Sequence, residues 1–150
     1  MGAPTLTDDK ADELGGLNDI LGLRIRLAHG AVYRHFAETF ADLDLTQKQV
    51  SALWLVSDNP GISQIDLGGR LRMDRATTMT IVNRLQARAY LRRERSASDG
   101  RKQALYLTEA GAAALAEAKR CIGEHEAWLK SRFTAEEIEK LVEMLARIHE

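Results

Sequence analysis

From Leu17 to Phe40 the apolar residues Leu17, Ile20, Leu21, Leu27, Ala31, Val32 and Phe36 recur at helical spacing and form one broad stripe. The pattern predicts a long first helix behind a polar, Asp-rich segment, residues 1–16, which reads as a mobile tail. Thr46 and Gln49 stand at capping-box spacing, where hydroxyl and amide satisfy two orphan N–H groups reciprocally. The helix they open has Val50, Leu53 and Trp54 as its expected core face and stops at "SDNPG", residues 57–61, because Pro and Gly both break helix. Ser63 caps a short helix, "SQIDLGGR", and after "LRM" Asp74 is the predicted N-cap of a longer helix running to about Ala89. Short helix, tight turn and longer helix make a helix-turn-helix. Gly68 and Gly69 would each cost about 1 kcal/mol relative to Ala in an exposed helix, and a close crossing of the following helix would explain both.

The periodicity then changes. "YLRRE" and "KQALYLT" flank the turn "RSASDG" and predict a β-hairpin, with Leu91, Leu105 and Leu107 toward the core and Arg92 and Lys102 toward water. Thr108 caps a helix to about Arg132, and Thr134 with Glu137 forms a second capping box. In the last helix Ile138, Leu141, Val142, Leu145 and Ile148 fall at i, i+3, i+4, i+7 and i+10. So continuous a stripe needs a partner surface, either a second copy or another part of the same chain. The small residues of "GAAALAEA", 111–118, would let helices approach closely.

On a helical wheel of about 100° per residue, Ile81, Val82, Leu85 and Ala89 point inward from the helix that begins at Asp74. Ala76, Thr77, Thr80, Asn83 and Arg84 lie opposite, with Arg75 near the positive N-terminus, where phosphate is attracted. Arg bonds guanine, Asn can pair with adenine, and Thr offers a methyl and a hydroxyl, so this face suits a major groove. An ordinary solvated helix surface has the same composition.

Composition sharpens this. At 150 residues with 45% hydrophobic content the chain fits one globular domain. No apolar run reaches the length of about 18 residues that a membrane span needs. "MGAPTLTDDK" matches neither a secretion signal nor the myristoylation pattern. The single Cys121 excludes an internal disulfide framework and fits the cytoplasm. Net charge is only −1, yet Arg70–Lys102 holds ten basic and three acidic residues, +7, which leaves −8 elsewhere. A basic face for a polyanion and a solvated Arg-rich helix both satisfy that asymmetry.

"LTQKQVSALWLV" (45–56), "ISQIDLGGRLRMDRATTMTIVNRLQARAYLRR" (62–93) and "SDGRKQALYLTEAG" (98–111), in this order and spacing, resemble the MarR family of transcriptional regulators. The resemblance covers nearly all of the chain from Leu17 onward. It implies a mainly α fold with a small β-hairpin wing: a winged helix-turn-helix lobe, 44–109, flanked by dimerisation helices at 17–43 and 110–150. It further implies a homodimer over a palindromic operator on double-stranded DNA. The helix from Asp74 would enter the major groove, and the wing would reach the adjacent minor groove. The expected DNA-contacting set is Ser63, Arg75, Ala76, Thr77, Thr80, Asn83, Arg84, Arg95, Ser98, Asp99, Arg101 and Lys102. Three positions depart from the family pattern. Its wing tip usually reads Asp-Arg-Arg where this chain has Asp99-Gly100-Arg101, and Thr and Arg are common where Met79 and Thr80 stand here.

Family members commonly bind small aromatic or phenolic acids between the dimer helices and the DNA-binding lobe. Here Arg26, His29 and Tyr33 fall on one line of the first helix and could hold a carboxylate or phenol, with Trp54 and Met73 as apolar walls. The expected effector is an aromatic acid or its CoA thioester, acting to release a repressor from DNA. His29 and Tyr33 resting partly exposed at an interface is the plainer reading. Relatives that sense peroxide carry their cysteine in the first helical region, unlike Cys121. Cys121 and His125 are four apart and could share a metal, as in a metal-sensing regulator. A mainly apolar face of Ala118, Ile122, His125 and Leu129 argues for a buried histidine instead. No cofactor is expected, and an enzyme is not: His29, His35, His125 and His149 lack metal-ligand spacing and no Gly-rich phosphate loop occurs. A winged helix used for protein contacts without specific DNA binding is the other reading of the lobe.

Overall fold

The computed structural model describes residues 13–98 and 100–150, so most of the segment expected as a tail and Asp99 of the wing lie outside the described residues. Two compact units divide the chain between Glu38 and Thr39. In the first, a 3-10 turn, Gly15–Asp19, precedes helix α1, Leu21–Phe40, whose last two residues belong to the second unit. The expected single helix from Leu17 is therefore interrupted: Ile20 is extended, at φ −89 and ψ 104. Arg24 holds the break by donating from Nη2 to Asn18 Oδ1 at 2.5 Å and from Nε to the Asn18 carbonyl at 3.2 Å. Leu17, Ile20, Leu21, Ile25 and Leu27 are all exposed.

The second unit opens with a 3-10 turn, Ala41–Leu43, closed by Asp44 in the left-handed region at φ 49. Helix α2, Gln47–Asp58, follows, and both halves of the Thr46–Gln49 capping box are formed, at 3.2 and 3.0 Å. Its buried face is Gln49, Val50, Ala52, Leu53 and Val56. Trp54 is not part of it. The indole stays 36% exposed and lies under the Lys119 ammonium, 4.5 Å from the ring centre. An amphipathic indole gains more at the rim, beneath a cation, than in a core with nothing to accept its N–H.

A two-residue strand β1, Ile62–Ser63, precedes α3, Gln64–Arg70, and α4, Arg75–Ala87. The strand was not expected, because two residues are too few to show a period. It pairs antiparallel with β3, Gln103–Leu107, as Ile62 opposite Leu105 and Ser63 opposite Ala104. On its other edge β3 pairs with β2, Leu91–Arg95, in a register running from Leu91 opposite Leu107 to Arg95 opposite Gln103. The sheet order is thus β1-β3-β2. Leu53, Leu67, Val82, Leu85 and Leu105 are fully buried and form the centre of the lobe, where α2, α3, α4 and the sheet converge.

α4 ends at Ala87, two residues short of the expected end, and Ala89 takes φ 61 in the turn to β2, exposed rather than inward. Of the two glycines in α3, Gly68 alone is explained by close crossing. A Cβ there would meet Thr78 Oγ1 of α4 at 2.5 Å, whereas one on Gly69 would meet nothing within 4 Å. Thr78 is 2% exposed and donates its hydroxyl to the Asp74 carbonyl at 2.8 Å, so it has little room to yield. Gly68→Ala is expected to lower stability by about 1–3 kcal/mol in denaturant titration.

Helix α5, Glu109–Lys130, buries Gly111, Leu115, Ala118, Cys121 and His125. Helix α6, Ala135–His149, opens on the Thr134–Glu137 capping box and buries no residue at all. Val142, Met144, Leu145 and Ile148 along it are 61%, 51%, 43% and 64% exposed. Among the described residues no helix is long and apolar enough to cross a membrane.

Candidate nucleic-acid interface

Local chemistry sets the angle at which α4 leaves the turn. The Arg72 amide donates to the Gly69 carbonyl (3.2 Å) and the Met73 amide to the Gly68 carbonyl (2.9 Å), while Arg72 takes φ 54. Asp74 then caps α4, its carboxylate accepting from the Thr77 amide at 2.7 Å. That bond lowers the Asp74 carboxyl below its ordinary 3.8, and the Thr134 amide does the same for Glu137. A carboxyl depressed in the folded state adds stability above its unfolded pKa and loses it on acidification. Asp74→Ala is therefore expected to melt lower than wild type at pH 7, with the gap closing below about pH 3.8. A gap that does not narrow at all as the pH falls below 3.8 would show that the cap acts without its charge.

Along α4, Arg75, Ala76, Thr80, Asn83 and Arg84 are exposed, Thr77 is half-buried, and Thr78, Ile81, Val82 and Leu85 are buried. The inward and outward faces thus match the wheel except at Ala89, which is exposed, and Thr77, which is half-buried. Thr80 already donates its hydroxyl to the Ala76 carbonyl at 2.9 Å, which leaves its methyl and an oxygen lone pair facing out. In the wing Arg95, Ser98, Arg101 and Lys102 are exposed, and Ser98 shares a 3.0 Å hydroxyl contact with Ser96. Ser63 is placed differently. It is 9% exposed, and its oxygen caps α3 by accepting from the Asp66 amide at 3.0 Å.

Helix and wing face a common cleft of about 300 Å³ lined by Ser63, Gln64, Ile65, Met79, Asn83, Arg93, Arg101, Lys102 and Gln103, so the expected candidate Ser63 also borders it. Five of these, Gln64, Ile65, Met79, Arg93 and Gln103, were not among the candidates expected from the sequence. Ile65 and Met79 are 59% and 51% exposed, a costly display of apolar surface unless something covers it. Arg93 reaches under α4. It donates from Nη2 to Asn83 Oδ1 at 2.7 Å and to Gln64 Oε1 at 3.0 Å, and from Nη1 to Gln86 Oε1 at 3.0 Å. The signal for Arg93 was present. In strand alternation Leu91 and Arg93 share the inner face, whereas Arg92 lies outside, paired with Glu94 and 4.6 Å over the Tyr106 ring.

The effector candidates divide between the units: Arg26, His29 and Tyr33 are exposed on α1 in the first, and Trp54 and Met73 lie in the second. The His29 and Tyr33 rings stack at 6.4 Å. Met73 lines a second cleft, of about 480 Å³, between α3 and α4 together with Arg75, Ala76 and Met79; Trp54 does not line it. Cys121 and His125 are both buried, and His125 stacks on Trp128 at 5.7 Å. Burial pushes the Cys121 thiol up, away from the reactive thiolate. Among the described residues no three His, Cys, Asp or Glu side chains gather as a metal site would require.

Known proteins share this arrangement. A family model, that of the MarR family, matches residues 43–102, from the start of the lobe into the wing. The transcriptional regulator HosA of Escherichia coli O157:H7 is 30% identical over 105 residues, 70% of this chain and 78% of HosA. The chain belongs to the MarR family. Like other MarR-family members it is a DNA-binding protein of transcription regulation, with a winged helix, and not an enzyme. A putative transcriptional regulatory protein for the hcr operon of Thauera aromatica is 27% identical over 136 residues, covering 90% of this chain and 82% of its own length. Among solved MarR-family structures, the transcriptional repressor CouR bound to a 23-mer DNA duplex superposes with a TM-score of 0.83. It is 33% identical over 91% of this chain and 97% of CouR.

Proposed function

We propose that the chain is a repressor that binds a palindromic operator as a homodimer and is released by a small aromatic or phenolic acid or its CoA thioester, in the cytoplasm. The observation that carries the DNA-contact part is the shared cleft. It sets Asn83 of α4 against Arg101 and Lys102 of the wing, so one face offers both base-reading and phosphate-binding groups. Arg75, Arg84, Arg95, Arg101 and Lys102 supply the phosphate contacts, and Asn83, Thr80 and Ala76 face base edges. Ile65 and Met79 add an apolar surface suited to the C5-methyl of thymine. The open stripe of α6 supports the homodimer, because a second copy would cover what one chain leaves in water. Arg26, His29 and Tyr33, exposed along one line of α1, are the candidate effector ligands.

Fluorescence anisotropy on DNA selected from a random pool tests the reading. With six to ten phosphate contacts, affinity is expected to fall by about 10³ to 10⁵ between 50 and 200 mM salt. Flat salt dependence would refute it. A panel of aromatic acids and their thioesters is expected to contain at least one that releases the DNA, and Arg26→Ala is expected to blunt that release. An unchanged response in the variant would remove Arg26 from the site.

A further inference from the structure

We propose that Arg93 is a specificity-determining positioning residue: from the wing strand it sets the amide of Asn83 so that α4 reads guanine, not adenine, at the base Asn83 faces. The proposal rests on the DNA-contact reading above. Asparagine discriminates adenine by using both ends of its amide, Nδ2 donating to N7 and Oδ1 accepting from the N6 amine. Here Oδ1 already accepts from the Arg93 guanidinium at 2.7 Å and Asn83 lines the cleft, so Nδ2 is the end of the amide left to meet a base. The bond also polarises the amide: electron density drawn to the cation weakens the oxygen as an acceptor for a second donor and strengthens the N–H groups. An outward face of donors beside a half-buried positive charge suits guanine, whose major-groove edge carries only the acceptors N7 and O6.

Arg93 cannot readily let go. Its other two bonds, to Gln64 Oε1 and Gln86 Oε1, are each 3.0 Å, so three amide oxygens from two helices converge on one guanidinium. Its Nε is buried without an acceptor, so the head is held by the planar fork of Nη1 and Nη2 alone. Lysine has no such fork. Gln64 is the first residue of α3 and Asn83 and Gln86 lie on α4, so the same contact ties the wing strand to both helices of the motif.

The test selects bound sequences from random DNA with the full chain as wild type, Asn83→Ala, Arg93→Met and Arg93→Lys, each checked for folding by thermal melting. The position whose preference disappears in Asn83→Ala is the one Asn83 faces. Guanine is expected there for wild type, a shift toward adenine for Arg93→Met, and an intermediate preference for Arg93→Lys. A readout that needs no Arg93 variant guards against misfolding. Replacing that guanine with 7-deazaguanine is expected to weaken wild-type binding by roughly 5- to 150-fold. Adenine at that position in wild type, an unchanged preference in a folded Arg93→Met, or no loss with 7-deazaguanine would each overturn the proposal. A wild-type protein that enriches no sequence at all would overturn the DNA-contact reading itself and take this proposal with it.

Discussion

Glutamate at both Val142 and Leu145 is expected to convert the protein to monomers and to lower its affinity for a selected palindromic site on the order of 10³-fold, toward the non-specific level. Both side chains stand on α6, which buries none of its residues within the chain, at 61% and 43% exposure. Covering such a Val or Leu is worth roughly 1.5–3 kcal/mol per side chain, and a second copy would cover each twice. A carboxylate in the same place must be desolvated without a partner, which costs more than the apolar contact gains. A monomer presents one α4 to one half-site, so the contacts to the second half-site and the register between them are lost together. Light scattering reads the oligomeric state and anisotropy reads the affinity. A double variant that stays dimeric and keeps its site would show that α6 is covered by something other than a second copy.

Gly111→Ala is expected to cost about 3 kcal/mol or more, because it drives a methyl into backbone rather than into a yielding side chain. A Cβ at Gly111 would lie 2.0 Å from the Tyr90 carbonyl oxygen and 2.9 Å from Leu107 Cδ2. That carbonyl accepts from the Thr108 amide at 3.1 Å, while the Thr108 hydroxyl oxygen caps α5 by accepting from the Gly111 amide at 3.0 Å. Moving Tyr90 aside would therefore disturb the end of the hairpin and the start of α5 at once. The expected fall in melting temperature is roughly 6–12 °C. Gly123 supplies the internal control. It lies in the same helix, exposed, with nothing within 4 Å of its would-be Cβ, so Gly123→Ala should stabilise by about 0.5–1 kcal/mol. Similar losses at both positions would mean that helix flexibility, not the contact with Tyr90, explains Gly111.

The helix starts were legible because their causes are local. Thr46, Ser63, Asp74, Thr108 and Thr134 each hold the amide of the third residue of the helix that follows, a bond that depends on side-chain type and spacing alone. Helix ends were less legible, since left-handed turns at Arg72 and Ala89 use residues that carry no turn signature. The outward face of α4 followed from its period, and so did the bare stripe of α6. Membership of the MarR family could be read from the order and spacing of three segments.

Other features required the chain to be folded. Trp54 belongs to an apolar run in sequence, but its place at the rim was decided by Lys119 from a helix 65 residues away. Ile62–Ser63 became a strand only because β3 offered an edge to pair with. Gly68 and Gly111 look alike in the sequence, but their neighbours, Thr78 and the Tyr90 carbonyl, come from different elements. Arg93 is the clearest case. Within its strand it is one arginine of three, and only packing α3 and α4 against the sheet brings Gln64, Asn83 and Gln86 onto it. Capping and amphipathic period act over a few residues and are written into the sequence, whereas the partners of a side chain across elements are chosen by packing.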